Sequence, residues 1–217
     1  MIGAIKICGI RTADAFDCAV QAGASHIGFM LVGRSPRNIS TTDAAALASR
    51  SIGVIPVAIT VDASDDELNN IISILKPGLL QFHGNETAER VAEVRARFAI
   101  PVMKVISVTD KASIHSAHHY EHAADWLMFD AASGGSGQNF DWTWLSGEIW
   151  QRPWMLAGGL TPDTVANAIY QSHPPGVDVS SGVESSRGIK DCGLIASFIS
   201  SAKKAFDDIA SGKSSSF

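Results

Sequence analysis

Eight short apolar, β-branched runs alternate with longer amphipathic runs at intervals of roughly 25 residues along the 217-residue chain. No Pro/Gly/Ser-rich linker interrupts them. Together these features predict an α/β protein, a single-domain (β/α)8 TIM barrel over residues 1–210, with a disordered tail at 211–217. A doubly wound open sheet satisfies the same periodicity and stands as the alternative.

The expected strands are Ala4–Ile7, His26–Met30, Val54–Thr60, Leu79–Phe82, Pro101–Ile106, Trp126–Phe129, Trp154–Ala157 and Val177–Val179. Each is a short apolar run of the kind a strand buried on both faces requires. Helical periodicity marks Thr12–Ala22, Thr41–Ser51, Asp65–Leu75, Glu86–Phe98, Pro162–Tyr170 and Leu194–Ile209. Ser64-Asp65-Asp66-Glu67 reads as a capping box, and Thr161-Pro162 as an N-cap followed by proline at the first helical position.

Composition narrows the function classes. An apolar fraction of 46% with 18% charged residues allows a sizeable core. A net charge of −5 without a basic cluster argues against nucleic acid or anionic membrane as partner. A small anion held by backbone amides stays possible. Cys8, Cys18 and Cys192 have no CxxC spacing and cannot all pair internally, so a reducing compartment is expected, with packing accounting for Cys18 and Cys192. Neither a signal peptide nor a membrane span is evident, which predicts a cytoplasmic protein. No heptad or self-complementary stripe indicates an oligomeric state.

In a barrel, chemistry gathers at the carboxyl ends of the strands. Cys8, Arg37, His83, Asp130, Gly158-Gly159 and Ser180-Ser181 all follow strands at that end. A thiol and a carboxyl there suit proton transfer as base and acid, the acid needing burial to hold its proton near neutral pH. Plainer readings are a core thiol for Cys8, a turn or capping aspartate for Asp130, a solvated charge for Arg37 and a structural histidine for His83. Gly134 to Gly137 lacks the ending of a phosphate-binding P-loop. Gly158-Gly159 before a helix, and Ser180-Ser181-Gly182 after the last strand, are better placed to hold a phosphate. His115, His118, His119 and His122 are spaced like a helical metal face, but a solvated helix explains them.

Period-two alternation puts Lys6 on the same face as Cys8, inside the barrel. A buried ammonium needs a partner. Asp178, on the eighth strand, can reach it only if the sheet closes.

Several segments, in order over nearly the whole chain, resemble the phosphoribosylanthranilate isomerase family. They are Lys6–Ile10, Gly28-Phe29 with Ser35–Ser40, Gln81–Gly84, Asp130 with Gly134–Gly137 and Phe140-Asp141-Trp142, Gly158–Thr161, and Asp178–Glu184 with Gly188–Asp191. The resemblance implies a (β/α)8 barrel that uses no cofactor and no metal, acting on a small phosphorylated substrate. By motif, Cys8 resembles the general base, Asp130 the general acid and Arg37 the residue that binds the anthranilate carboxylate. Gly158, Gly159, Ser180, Ser181 and Gly182 resemble the phosphate site, and His83, Gly135 and Gly137 complete the candidate substrate-binding set. The implied reaction is an Amadori rearrangement of N-(5-phosphoribosyl)anthranilate in tryptophan biosynthesis. Gln138 stands where lysine is frequent in the family, and Asp163-Thr164-Val165 lacks a common asparagine before the valine; neither departure touches the acid or base. Other phosphosugar barrels stay open as alternatives: an epimerase would need strand-end metal histidines, and an indoleglycerol-phosphate synthase several strand-end Lys and Glu. A barrel that only binds a phosphorylated ligand would tolerate loss of Cys8.

Overall fold

A computed structural model of the protein describes residues 3–131 and 140–213. Its elements are β1 (Ala4–Cys8), α1 (Ala13–Ala22), β2 (His26–Met30), α2 (Thr41–Ala48), β3 (Ile55–Thr60), α3 (Asp65–Leu75), β4 (Leu79–Phe82), α4 (Ala88–Phe98), β5 (Val102–Val108), α5 (Lys111–Ser116), β6 (Trp126–Ala131), β7 (Trp154–Leu156), α6 (Val165–Ser172), β8 (Gly176–Val179), β9 (Glu184–Ser186), β10 (Ile189–Lys190) and α7 (Cys192–Ala210). Strands β1 to β8 are parallel, each paired with the next, and β8 pairs back onto β1. That closure rules out the open sheet. The tail expected at 211–217 falls largely outside the described residues, with only Ser211, Gly212 and Lys213 within them.

Two apolar layers follow from strand alternation. Ile5, Ile7, Ile27, Phe29, Phe82, Phe129, Leu156 and Val177 point outward against the helices. Ala4, Cys8, Val57, Ile59, Leu79, Met103, Val105, Met128, Met155 and Ala157 fill the barrel interior. Unbranched methionines from β5, β6 and β7 suit a space whose shape is set by strand tilt.

Helix starts follow their caps. Ser64 accepts from Glu67 N while the Glu67 side chain returns to Ser64 N, so the capping box forms as expected. The start expected at Thr161-Pro162 is displaced: α6 begins at Val165 with Thr164 as N-cap. The reason is a separate turn, in which Thr161 N donates to Thr164 Oγ1 at 2.9 Å and Thr164 N to Thr161 Oγ1 at 3.3 Å. The β9–β10 antiparallel ribbon after β8 has no counterpart in the expected elements.

Barrel closure also corrects the reading of the cysteines. Cys18 on α1 and Cys192 at the start of α7, 174 residues apart, form a disulfide with a Cα–Cα distance of 5.6 Å. Cys8 is the free thiol. With β8 beside β1, the helices that follow those strands become neighbours, which linear spacing cannot reveal. A cross-link closing so long a loop stabilises by about 2–4 kcal/mol. Thermal unfolding in the presence of dithiothreitol is therefore expected to occur several degrees lower than without it, and a Cys192→Ser variant should show the lower midpoint with or without reductant. Coincident wild-type midpoints would mean that the link contributes nothing.

Candidate active site

Cys8 ends β1, points inward and is 6% exposed. Asp130 lies one residue before the end of β6, paired in register with Ser107 of β5. Both line one cavity of about 280 Å3 at the carboxyl end of the barrel, together with Arg37, His83, Gly158, Gly159, Ser180 and Ser181. Gly182 is absent from its wall; a Cβ there would sit 1.9 Å from Leu160 O, so this glycine lets the loop after β8 pack on the loop after β7. Gly135 and Gly137 lie outside the described residues.

Two glycines make this geometry possible. Gly9 has φ +76°, and its missing side chain leaves room for Arg37, whose Cδ would lie 2.8 Å from a Cβ. Gly158 has φ +88°, and a Cβ there would meet the Ala131 backbone nitrogen at 2.5 Å and Asp130 Oδ1 at 3.1 Å. A residue with a side chain at either position would displace a group that lines the cavity.

Arg37 does not present an empty fork. Its Nε and Nη2 donate to Glu184 Oε1 and Oε2 at 2.7 and 2.9 Å. Lys190 Nζ donates to Glu184 Oε1 at 2.7 Å and to Ser180 O at 2.8 Å. These bonds hold the Glu184 carboxyl at about 2, well below its ordinary range despite burial. The bidentate edge expected to meet a ligand carboxylate is thus taken by Glu184. The Nη1–Nη2 end of the guanidinium is the edge left to meet one, and it is fixed in orientation. Glu184 and Lys190 escaped sequence reasoning because the β9–β10 ribbon that carries them has no periodic signature. Gln81 and Arg187 also line the cavity without having been expected there, and Asp178, expected inside the barrel against Lys6, reaches its wall.

The turn after β4 is set by a second buried pair. Lys104 Nζ donates to Glu86 Oε2 at 2.8 Å and Gly84 O at 2.6 Å, while Glu86 accepts from Asp62 N and Gly84 N at 2.9 and 3.0 Å. His83, at the start of this turn, has its Nε2 3.6 Å from Asp130 Oδ2. Burial, with Lys6 and Lys104 nearby, lowers the His83 pKa and favours the neutral ring. The histidines of the α5 region lie elsewhere: His118 bonds Glu121 Oε2 at 3.1 Å and stacks on Trp150 at 4.4 Å. Among the described residues, no group of three or more His, Cys, Asp or Glu side chains could hold a metal ion.

Electrostatics separate the two proton-carrying groups. Burial raises Asp130 to about 7, reinforced by the negative charge of Asp178 and opposed by Lys6. Burial also raises Cys8 above its ordinary 9.0, opposed by Lys6, Lys190 and Arg37. An aspartate raised from 3.8 to about 7 in the folded state stabilises the fold fully below pH 4 or so, and that contribution is lost as pH rises through 7. Asparagine has no such loss. Relative to wild type, Asp130→Asn is therefore expected to gain about 2–4 kcal/mol in urea unfolding between pH 4 and pH 8. A stability difference that stays flat over that range would show that the carboxyl is not raised.

A family profile described as N-(5'-phosphoribosyl)anthranilate (PRA) isomerase matches residues 5–201. An N-(5'-phosphoribosyl)anthranilate isomerase of Cereibacter sphaeroides is 44% identical over 207 residues, covering 92% of this chain and 98% of that protein. The phosphoribosyl anthranilate isomerase of Thermotoga maritima superposes with a TM-score of 0.87 at 32% identity, over 94% of this chain and 100% of that one. A phosphoribosyl anthranilate isomerase in complex with reduced 1-(o-carboxyphenylamino)-1-deoxyribulose 5-phosphate superposes with a TM-score of 0.82 at 30% identity, over 94% of this chain and 100% of that one. With the profile spanning nearly the whole barrel and the relatives matching almost end to end, the chain belongs to the phosphoribosylanthranilate isomerase family.

Proposed function

We propose that the chain converts N-(5'-phosphoribosyl)anthranilate into 1-(2-carboxyphenylamino)-1-deoxyribulose 5-phosphate, in tryptophan biosynthesis, with Asp130 as general acid and Cys8 as general base. The observation that carries the acid/base reading is that one thiol and one raised carboxyl, from β1 and β6, line a single cavity.

The reaction needs two proton movements. Asp130 protonates the furanose ring oxygen, and the C1–oxygen bond breaks as the aryl-bearing nitrogen forms an iminium with C1. Cys8, as thiolate, removes the proton from C2 of the sugar, giving an enolamine that tautomerises to the ketone. The positive iminium makes that C–H acidic. Each positioned transfer contributes about 10²–10⁴-fold. Backbone groups around Gly158-Gly159 and Ser180-Ser181 are suited to the phosphate, and the outer end of the Arg37 guanidinium to the anthranilate carboxylate. His83, held beside Asp130, limits how that carboxyl turns.

The substrate carries phosphate and carboxylate charges that resist passage through a bilayer, so this reading places the chain in the cytoplasm where such metabolites are retained. No helix among the described residues is long and apolar enough to cross a membrane. In that compartment the Cys18–Cys192 link faces thiol reductants.

Fluorescence-monitored consumption of freshly made phosphoribosylanthranilate tests the assignment. Cys8→Ala and Asp130→Asn should each lower kcat at least about a hundredfold, with little change in affinity for the reduced product analogue. Normal turnover by both variants would overturn the acid/base assignment.

A further inference from the structure

Beneath the two proton-carrying groups lies a charge pair that the mechanism above leaves unused. Lys6 is fully buried, and its Nζ lies 2.8 Å from Asp178 Oδ1. Parallel pairing sets Lys6 opposite Asp178 across the β1–β8 seam and Cys8 opposite Gly28 across β1–β2. A Cβ on Gly28 would sit 3.1 Å from Lys6 Nζ and 3.2 Å from Cys8 Cα, so the missing side chain is what lets the ammonium lie beside Cys8. The Lys6 charge acts on Cys8 as well as on Asp178. Asp178 reaches the wall of the cavity that Asp130 also lines. The pair therefore has a direction, with its cation under the thiol and its anion facing the carboxyl.

We propose that the Lys6–Asp178 pair is a positioning element for the isomerisation, its fixed field favouring negative charge on Cys8 and a proton on Asp130. This rests on the acid/base reading of those two residues. The need for such a field follows from their environments. With Asp130 at about 7 and Cys8 raised above 9.0, a site holding one proton between the two keeps it mainly on sulfur. The reactive arrangement, thiolate with carboxylic acid, has the same proton count, so pH cannot select it. A local field can. At Cys8 the favourable influence of Lys6 exceeds the unfavourable one of Asp178, and at Asp130 the order is reversed, so the pair works in the productive sense at both ends.

The other charges that act on Cys8, and those packed against Asp130 and its turn, do not supply this direction. Arg37, from the loop after β2, and Lys190, on β10, also favour a Cys8 thiolate, but both are tied to Glu184. His83, after β4, lies against Asp130, and burial favours its neutral form. His26 on β2 is lowered to about 4 by burial and by Lys6. Glu86 and Lys104 neutralise each other behind the β4 turn.

Removing one end of the pair at a time tests the field. With Cys18 and Cys192 in a disulfide, thiolate absorbance near 240 nm, taken as the difference from the matching Cys8→Ala variant so that tyrosine ionisation cancels, follows Cys8 alone. Lys6→Met should move the thiol titration to higher pH, and Asp178→Asn should move it lower. Both should nevertheless lose at least about tenfold in kcat/KM, because each makes the productive arrangement rarer. Either single variant leaves a buried charge unpaired and could fold poorly, whereas the double variant Lys6→Met/Asp178→Asn removes both charges and should fold stably. It should stay slow. Titrations that overlay wild type, or a double variant with wild-type kcat/KM, would overturn the proposal. The titration reads the sulfur whether or not it is the base, so an active Cys8→Ala variant, which ends the acid/base reading, is distinguishable from unmoved titrations, which end this one.

Discussion

The seam between β1 and β8 carries more of this molecule than any other contact. Where it closes, Lys6 comes opposite Asp178, the edges of the sheet disappear, and two buried charges satisfy each other. Cys8 and Ser180, at the carboxyl face, inherit their positions from that seam. Cys8 sits two residues beyond Lys6 on one side, and Ser180 two residues beyond Asp178 on the other, its hydroxyl bonded to Cys8 O at 3.3 Å. The helices that follow these strands are brought together as well, which is why Cys18 meets Cys192. The whole arrangement couples residues from the two ends of the chain.

What could be read from the sequence divides along the same line. Strands buried on both faces must be apolar runs, so their order and approximate bounds were legible, while periodicity alone left closure open; one misfit bore on it, a lysine on an inward face whose leading candidate partner, Asp178, adjoins it only in a closed sheet. The strand-end groups Cys8, Asp130, Arg37 and His83 could be placed because a barrel has one active face. Contacts depending on how loops lie over that face could not. Glu184 clasps Arg37 from a ribbon whose strands span three residues and two, too short for any pattern. The α6 start was misplaced because Thr161 and Thr164 bond each other in a separate turn ahead of the helix, which the local sequence does not reveal. The disulfide was missed for a different reason. Its partners are matched by the lateral placement of two helices, a property of closure that spacing does not encode.

Burial of the site has opposite consequences for its two halves. At Glu184, desolvation is more than offset by charged hydrogen bonds from Arg37 and Lys190, and the carboxylate stays ionised far into the acid range. Around Cys8 and Asp130 it is incompletely offset, and both groups are left shifted toward their neutral forms. That incompleteness is useful. A carboxyl satisfied as thoroughly as Glu184 could never donate its proton near neutral pH, and a thiol surrounded by fully competent cations would be a poor acceptor of one.

The reaction class explains why such a dry site is tolerable. An isomerisation exchanges no net proton with solvent, so a proton leaving Asp130 for the sugar is matched by one arriving at Cys8 from C2. The total charge of enzyme and substrate inside the cavity does not change, and the unfavourable solvation of charge in a low-dielectric space is largely common to every step. What changes is where the charge sits. Midway, with the ring open and C2 not yet deprotonated, a positive iminium lies between a carboxylate and a thiolate. That arrangement is strongly favoured where water is scarce. Once the base has acted, the pair is left as thiol and carboxylate, the form the empty site prefers. The forward half-reaction therefore runs with the electrostatic preference of the protein, and the difficulty is displaced to the starting state, where the proton must first lie on the carboxyl. An oriented pair of buried charges at the barrel seam acts on that starting state.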